Sequence, residues 1–219
     1  MDLKKLIELS NTPKFYQEAN FGITQIRTES DRYRNVIFEF INETEGNMEK
    51  IKIQKWRLTA HRCESFHNMY QKFFMPYIQL KLHTNHPLLW QYKSDILECE
   101  LINYPKKIDV FLGQMYKAYV RISNNWIQAS NNFFATEYAY KKKGRTIINI
   151  PENLKEGVEK VCNDQGVIFK VKNIKEQEDY NLKNLKVLIF GNDYISPDGF
   201  NMGQPYIIAH DFFANKIYG

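Results

Sequence analysis

Four of the chain's five histidines and one of its three cysteines fall between His61 and His86. Zinc takes neutral imidazole and thiolate in tetrahedral geometry. His61, Cys63, His67, His83 and His86 are therefore the candidate metal ligands, and zinc is the metal they would suit. On an extended "AHRCES", His61 and Cys63 point to one side, because residues i and i+2 of a strand share a face. His67 belongs to the next element, and His83 and His86 to a strand end and a turn. The spacing contains neither C-x-x-C nor H-E-x-x-H. The preferred reading is that these rings cap strand ends and pack against Trp56, Phe66 and Trp90, with no cofactor. An enzymatic version makes Cys63 a nucleophile with His61 or His67 as its base. That chemistry needs a depressed thiol pKa, which a helix starting at Ser65 would favour.

Three other stretches carry chemistry. "YAYKKKGR" sets Tyr138 and Tyr140 beside Lys141, Lys142, Lys143 and Arg145. With Lys170, Lys172 and Lys175 it would make a basic patch, lysines and arginine on phosphates and tyrosines stacked on bases. The bland alternative is a solvated linker. "GNDYISPDGFNMGQP" (191–205) is rich in turn residues. Asp193 and Asp198 would hold a cation there, and Gly199 would let successive amides face an anion. It fits neither an EF-hand nor a P-loop, and a long hairpin connection is preferred. Glu98 and Glu100 share one strand face, with no third ligand apparent.

The elements that must position these groups follow from periodicity. Leu3, Leu6 and Ile7 form the stripe of a short helix over 3–9, with Asp2 at its start. Alternation predicts strands over 21–29, 34–42 and 48–64, the last two joined as a hairpin and the third bulged near Gln54 or Lys55. Phe66, Met69, Tyr70 and Phe73 have helical spacing, which predicts a two-turn helix before Pro76. Strands are expected over 77–83 and 88–103, the latter broken near Lys93–Asp95. Ile108, Phe111, Leu112, Met115, Tyr119 and Ile122 make one continuous helical face within 105–122. A return strand over 126–134, a helix from Pro151 to Asp164 and strands over 167–172, 186–192 and 205–213 complete the chain.

The sum is an α+β fold, mostly antiparallel sheet with the packed 105–122 helix and a smaller C-terminal α/β unit. The expected division is a sheet-plus-helix domain over 1–134, a basic linker over 135–146 and a subdomain over 147–219, with one continuous domain as the alternative. A chain of 219 residues is long enough to bury a core. No run of apolar residues reaches membrane-spanning length, so no membrane partner is expected. The odd, scattered cysteines point to a reducing, cytoplasmic setting.

Thirty basic and twenty-five acidic residues leave a net charge of +5, which permits an acidic partner without requiring one. Aromatics at 15% exceed what a core of this size needs and suit an interface. The favoured reading is a small cytosolic binding protein without catalysis, for instance one that occludes a partner protein. The alternative is a nucleic-acid-binding or -processing protein using the basic, aromatic tract. The third reading is a metal- or cysteine-dependent enzyme using the His61–His86 region.

Overall fold

Alternating apolar residues in the first third of the chain pair into a continuous antiparallel ladder. In the computed structural model, which describes residues 3–13, 15, 19–29, 34–44, 52–70, 74–76, 78–127, 144–191 and 204–217, contacts divide the chain into two units. The first is Met1–Asn85 with Asn184–Gly219, and the second is His86–Lys183. These boundaries differ from a division at 135–146 because strand pairing runs across that tract in both units.

The first unit holds α1 (Leu3–Ser10) and strands β1 (Ala19–Thr28), β2 (Val36–Thr44), β3 (Lys52–His67), β4 (Phe74–Pro76), β5 (Gln79–His83), β9 (Lys186–Gly191) and β10 (Tyr206–Ile217). Their order is β4-β1-β2-β3-β10-β9-β5, and every pairing is antiparallel. The sheet must curl. Flat, its two edges would lie roughly 29 Å apart at the usual strand spacing. Yet Pro76 on one edge and Gln79 on the other are three residues apart in the chain, a reach of about 11 Å. The rings of Phe21 on β1 and Phe190 on β9 meet at 5.7 Å across the interior, although three strands separate theirs in the ladder. Trp56, Leu58, Phe38 and Phe40 fill the same core, with Leu3 and Leu6 of α1. The Trp56 indole N–H is buried and meets no acceptor among the described residues.

The second unit is a three-stranded antiparallel sheet, β7-β6-β8, built from β6 (Ile96–Ile102), β7 (Arg145–Pro151) and β8 (Ile168–Lys175). A 3-10 turn at Pro87–Leu89 and the short α2 (Trp90–Lys93) precede it, and α5 (Tyr180–Lys183) follows. Two helices, α3 (Ile108–Ser123) and α4 (Lys155–Asp164), share its core: Phe111, Met115 and Tyr119 with Leu154, Val158 and Cys162, against Leu97, Cys99 and Leu101. The 105–122 stripe therefore packs as expected, although the helix starts at Ile108, three residues past Pro105. Gly166, at φ +73°, ends α4 in the left-handed conformation that lets the Val167 amide reach back to the Cys162 carbonyl.

Four local expectations are corrected. No helix starts at Ser65: β3 continues to His67, because β10 pairs with it as far as Tyr206↔His67 and the ladder outweighs the local spacing. The bulge expected at Gln54–Lys55 is absent from the β2–β3 pairing, whose register is unbroken from Val36↔Ala60 to Thr44↔Lys52. The break instead falls farther along β3, between Ser65 and Cys63, where it faces Ile208 and Ala209. Residues 87–93 are 3-10 and α-helical, not strand, which leaves β6 to begin at Ile96. "RTIINIP", expected as the end of a linker and the start of a helix, is strand β7: Thr146, Ile148 and Ile150 alternate inward. The expected return strand lies largely outside the described residues. No helix among the described residues is long and apolar enough to cross a membrane.

Candidate functional site

The histidine region is split by the strand that carries it. Arg62 takes a left-handed conformation, φ +49°, and this breaks the alternation that would have put His61 and Cys63 on one face. Cys63 turns into the core and His61 stays half-buried outside it. The His67 ring stacks on Tyr206 at 4.8 Å. His83 ends β5, where burial and then Lys81 hold its pKa below the ordinary value. His86 caps the 3-10 turn, its Nδ1 accepting from the Leu88 amide at 3.3 Å, with its ring edge-on to Trp126. Among the described residues no three His, Cys, Asp or Glu side chains stand together as a metal would need.

One polar relay does form here. Asn35 donates from Nδ2 to Glu29 Oε2 at 3.2 Å, and its Oδ1 accepts the Arg62 amide at 3.3 Å. The same Oδ1 lies 2.9 Å from His61 Nδ1, which places the imidazole proton on that nitrogen. The partner that would make this a nucleophilic site is lacking at Cys63. Burial pushes that thiol up to about 12, with Glu64 adding to the shift. A thiol held protonated by burial is a poor nucleophile. The neighbouring cleft, about 460 Å³, is lined by Glu29, Arg34, Cys63 and Glu64 and presents charges of both signs. His210 was not foreseen as part of this neighbourhood. It sits across from Arg62, between the pairs Ala209↔Cys63 and Asp211↔His61, and only the β3–β10 pairing brings it there. Burial and then Arg62 lower its pKa.

In the second unit, a groove of about 520 Å³ runs between α3 and α4 over Ala118, Ile122 and Val161. Lys117, Arg121 and Lys160 line it with Glu156 and Asp164, leaving one positive charge in excess.

The opposite side of that unit is more distinctive. The inward set Leu97, Cys99 and Leu101 puts Glu98, Glu100 and Ile102 on the outer face of β6. Register then aligns Ile147 and Lys170 on either side of Glu100, and Arg145 and Ile168 on either side of Ile102. Among the described residues nothing covers this face: Ile147 is 59% exposed and Ile168 44%. Glu100 is its centre, with Arg145 at 3.8 Å and Lys172 at 3.7 Å. Part of the expected basic patch, Arg145 with Lys170 and Lys172, is thus assembled by the sheet. Lys175 ends the same strand. Tyr138, Tyr140, Lys141, Lys142 and Lys143 lie outside the described residues, as do Asp193, Asp198 and Gly199 of the long loop.

No family model, curated protein or solved structure matches the chain. Function is therefore read from the chemistry of these surfaces. Of the three, the cleft beside Cys63 holds a thiol that burial keeps protonated, and the aliphatic residues of the α3–α4 groove are half-buried or buried. The outer sheet face differs from both in the exposure of its aliphatic side chains, Ile147 and Ile168, among cations.

Proposed function

We propose that the protein is a non-catalytic binding protein and that the outer face of its three-stranded sheet receives a partner polypeptide. The observation that carries this is the exposure of Ile147 and Ile168 among Arg145, Lys170 and Lys172. Aliphatic side chains rimmed by charge are what a protein interface needs. A nucleic acid asks for something else. Single strands bind by stacking on aromatic rings along a basic track. The described residues on this face include no aromatic ring, and Glu100 already engages two of the cations. The basic tract that leads into Arg145 keeps nucleic acid as the second reading.

Fluorescence anisotropy separates the two. The probes are a ten-residue peptide alternating Glu and Val, and a thymidine oligonucleotide of ten nucleotides. The reading expects peptide binding that weakens with salt and falls at least tenfold in Ile147→Glu and in Ile168→Glu. Oligonucleotide binding that is tighter than peptide binding and is lost in Arg145→Glu would overturn it in favour of nucleic acid.

A further inference from the structure

We propose that β8 is a docking edge: an extended, acidic segment of another protein adds to it as a fourth strand of the β7-β6-β8 sheet. This rests on the reading above and names the mode of binding and the chemistry of the partner.

The edges of the two sheets are treated differently. In the larger sheet β4 is only three residues long, and β5 is met by the end of α1, where the side chains of Ser10 and of Asn11 just beyond it bond the Leu80 amide and carbonyl. β8 is eight residues long and pairs with β6 alone among the described residues. Seven of its eight residues are exposed, Phe169 being half-buried. At its C-terminal end Asn173 Oδ1 accepts the Ile174 amide at 3.0 Å. Asn173 thereby closes that end of the edge locally and leaves Ile168–Lys172 as the stretch open to a partner. An unpaired strand of this kind presents backbone groups that another chain can complete.

Charge decides which chain. β8 carries Lys170, Lys172 and Lys175 and no acidic residue. Lysine on an edge strand is the usual guard against pairing with a copy of itself. In an antiparallel self-pair centred on Val171, Lys170 of each copy would face Lys172 of the other, and like charges directly across a pair destabilise it. A strand alternating carboxylate and aliphatic residues reverses this. Its carboxylates meet Lys170 and Lys172 on the outer face. Its aliphatic side chains extend the inner layer beside Phe169 and Val171, the latter 36% exposed.

The test uses the full chain and three peptides: the alternating Glu-Val decamer, the same peptide N-methylated at every Val, and the same peptide N-methylated at every Glu. Each methylated set removes the amides along one edge of the peptide and leaves its side chains unchanged. Strand addition expects one methylated peptide to bind within about threefold of the parent and the other to lose at least tenfold. It also expects Lys170→Glu/Lys172→Glu to reject the Glu-Val peptide and accept a Lys-Val one. Equal binding by both methylated peptides would overturn strand addition while leaving the face as the binding surface. No peptide binding at millimolar concentration would overturn both, and circular dichroism of the variant confirms that it is folded.

Discussion

The Ser10 hydroxyl stands in for a missing strand: its Oγ accepts the Leu80 amide at 3.0 Å while donating to the Ile7 carbonyl at 2.8 Å. Asn11 Nδ2 completes the imitation by donating to Ile7 O at 2.9 Å and to Leu80 O at 3.4 Å. Ser10 and Leu80 are both fully buried, so water cannot replace the hydroxyl. Ser10→Ala is expected to cost about 1–3 kcal/mol, the range for leaving a buried amide without an acceptor. Thr12→Ala removes an exposed bond to Leu9 O and a long one, 3.4 Å, from the Phe15 amide, and is expected to cost less than about 1 kcal/mol. Urea denaturation measures both. Equal costs for the two substitutions would show that the Ser10 bond has no special weight.

Cys63, Cys99 and Cys162 are all buried and unpaired, with burial as the first cause pushing their thiols up to about 12, 11 and 12. The thiolate is the reactive species. The native protein is therefore expected to react negligibly with a disulfide reagent near pH 8, and the urea-unfolded protein to release three equivalents. One fast equivalent in the native state would reopen Cys63 as a nucleophile.

A Cβ at Gly157 would collide with the tip of Ile122, which lies over it where α3 and α4 cross. Gly in a helix interior costs about 1 kcal/mol relative to Ala. In the unchanged chain the steric cost is expected to cancel that gain, so Gly157→Ala stays within about 0.5 kcal/mol of neutral. In an Ile122→Ala background the same substitution is expected to stabilise by about 1 kcal/mol. A double-mutant cycle by thermal or urea unfolding measures the coupling. Its absence would mean that Ile122 yields at no cost.

The parts of the fold legible in the sequence are those where one face of an element is buried by itself. The Phe111–Met115–Tyr119 stripe and the Val36–Phe38–Phe40 alternation state their own burial. Failures occurred where a distant strand decides. Phe66 and Met69 have helical spacing, yet β10 holds Phe66 in a ladder opposite Ile207. β7 was missed because its inward residues, Thr146, Ile148 and Ile150, follow a basic tract that hid their period. At the candidate surface the lysines were visible but their neighbours were not. Glu100 meets Arg145 and Lys172 only because β7 and β8 flank β6 on opposite sides. Similarly, no spacing within the sequence links His210 to His61; a bulged pairing does.

Two histidines tie stability to pH in the same direction. His83 is held below its ordinary value of 6.5 by burial and then Lys81, and His210 by burial and then Arg62, with Glu64 and Asp211 opposing. A lowered folded-state pKa means that the unfolded chain binds the proton more readily. Their contribution is therefore complete above pH 6.5 and is lost as pH falls from there through the depressed folded-state values. Ordinary carboxylates stay ionised down to about pH 5.5, so the window between about 7.5 and 5.5 isolates the histidines. Unfolding free energy is expected to fall across that window, and His83→Gln and His210→Gln each to flatten part of the slope. A slope unchanged in the double variant would mean that the two rings gain protons as easily folded as unfolded.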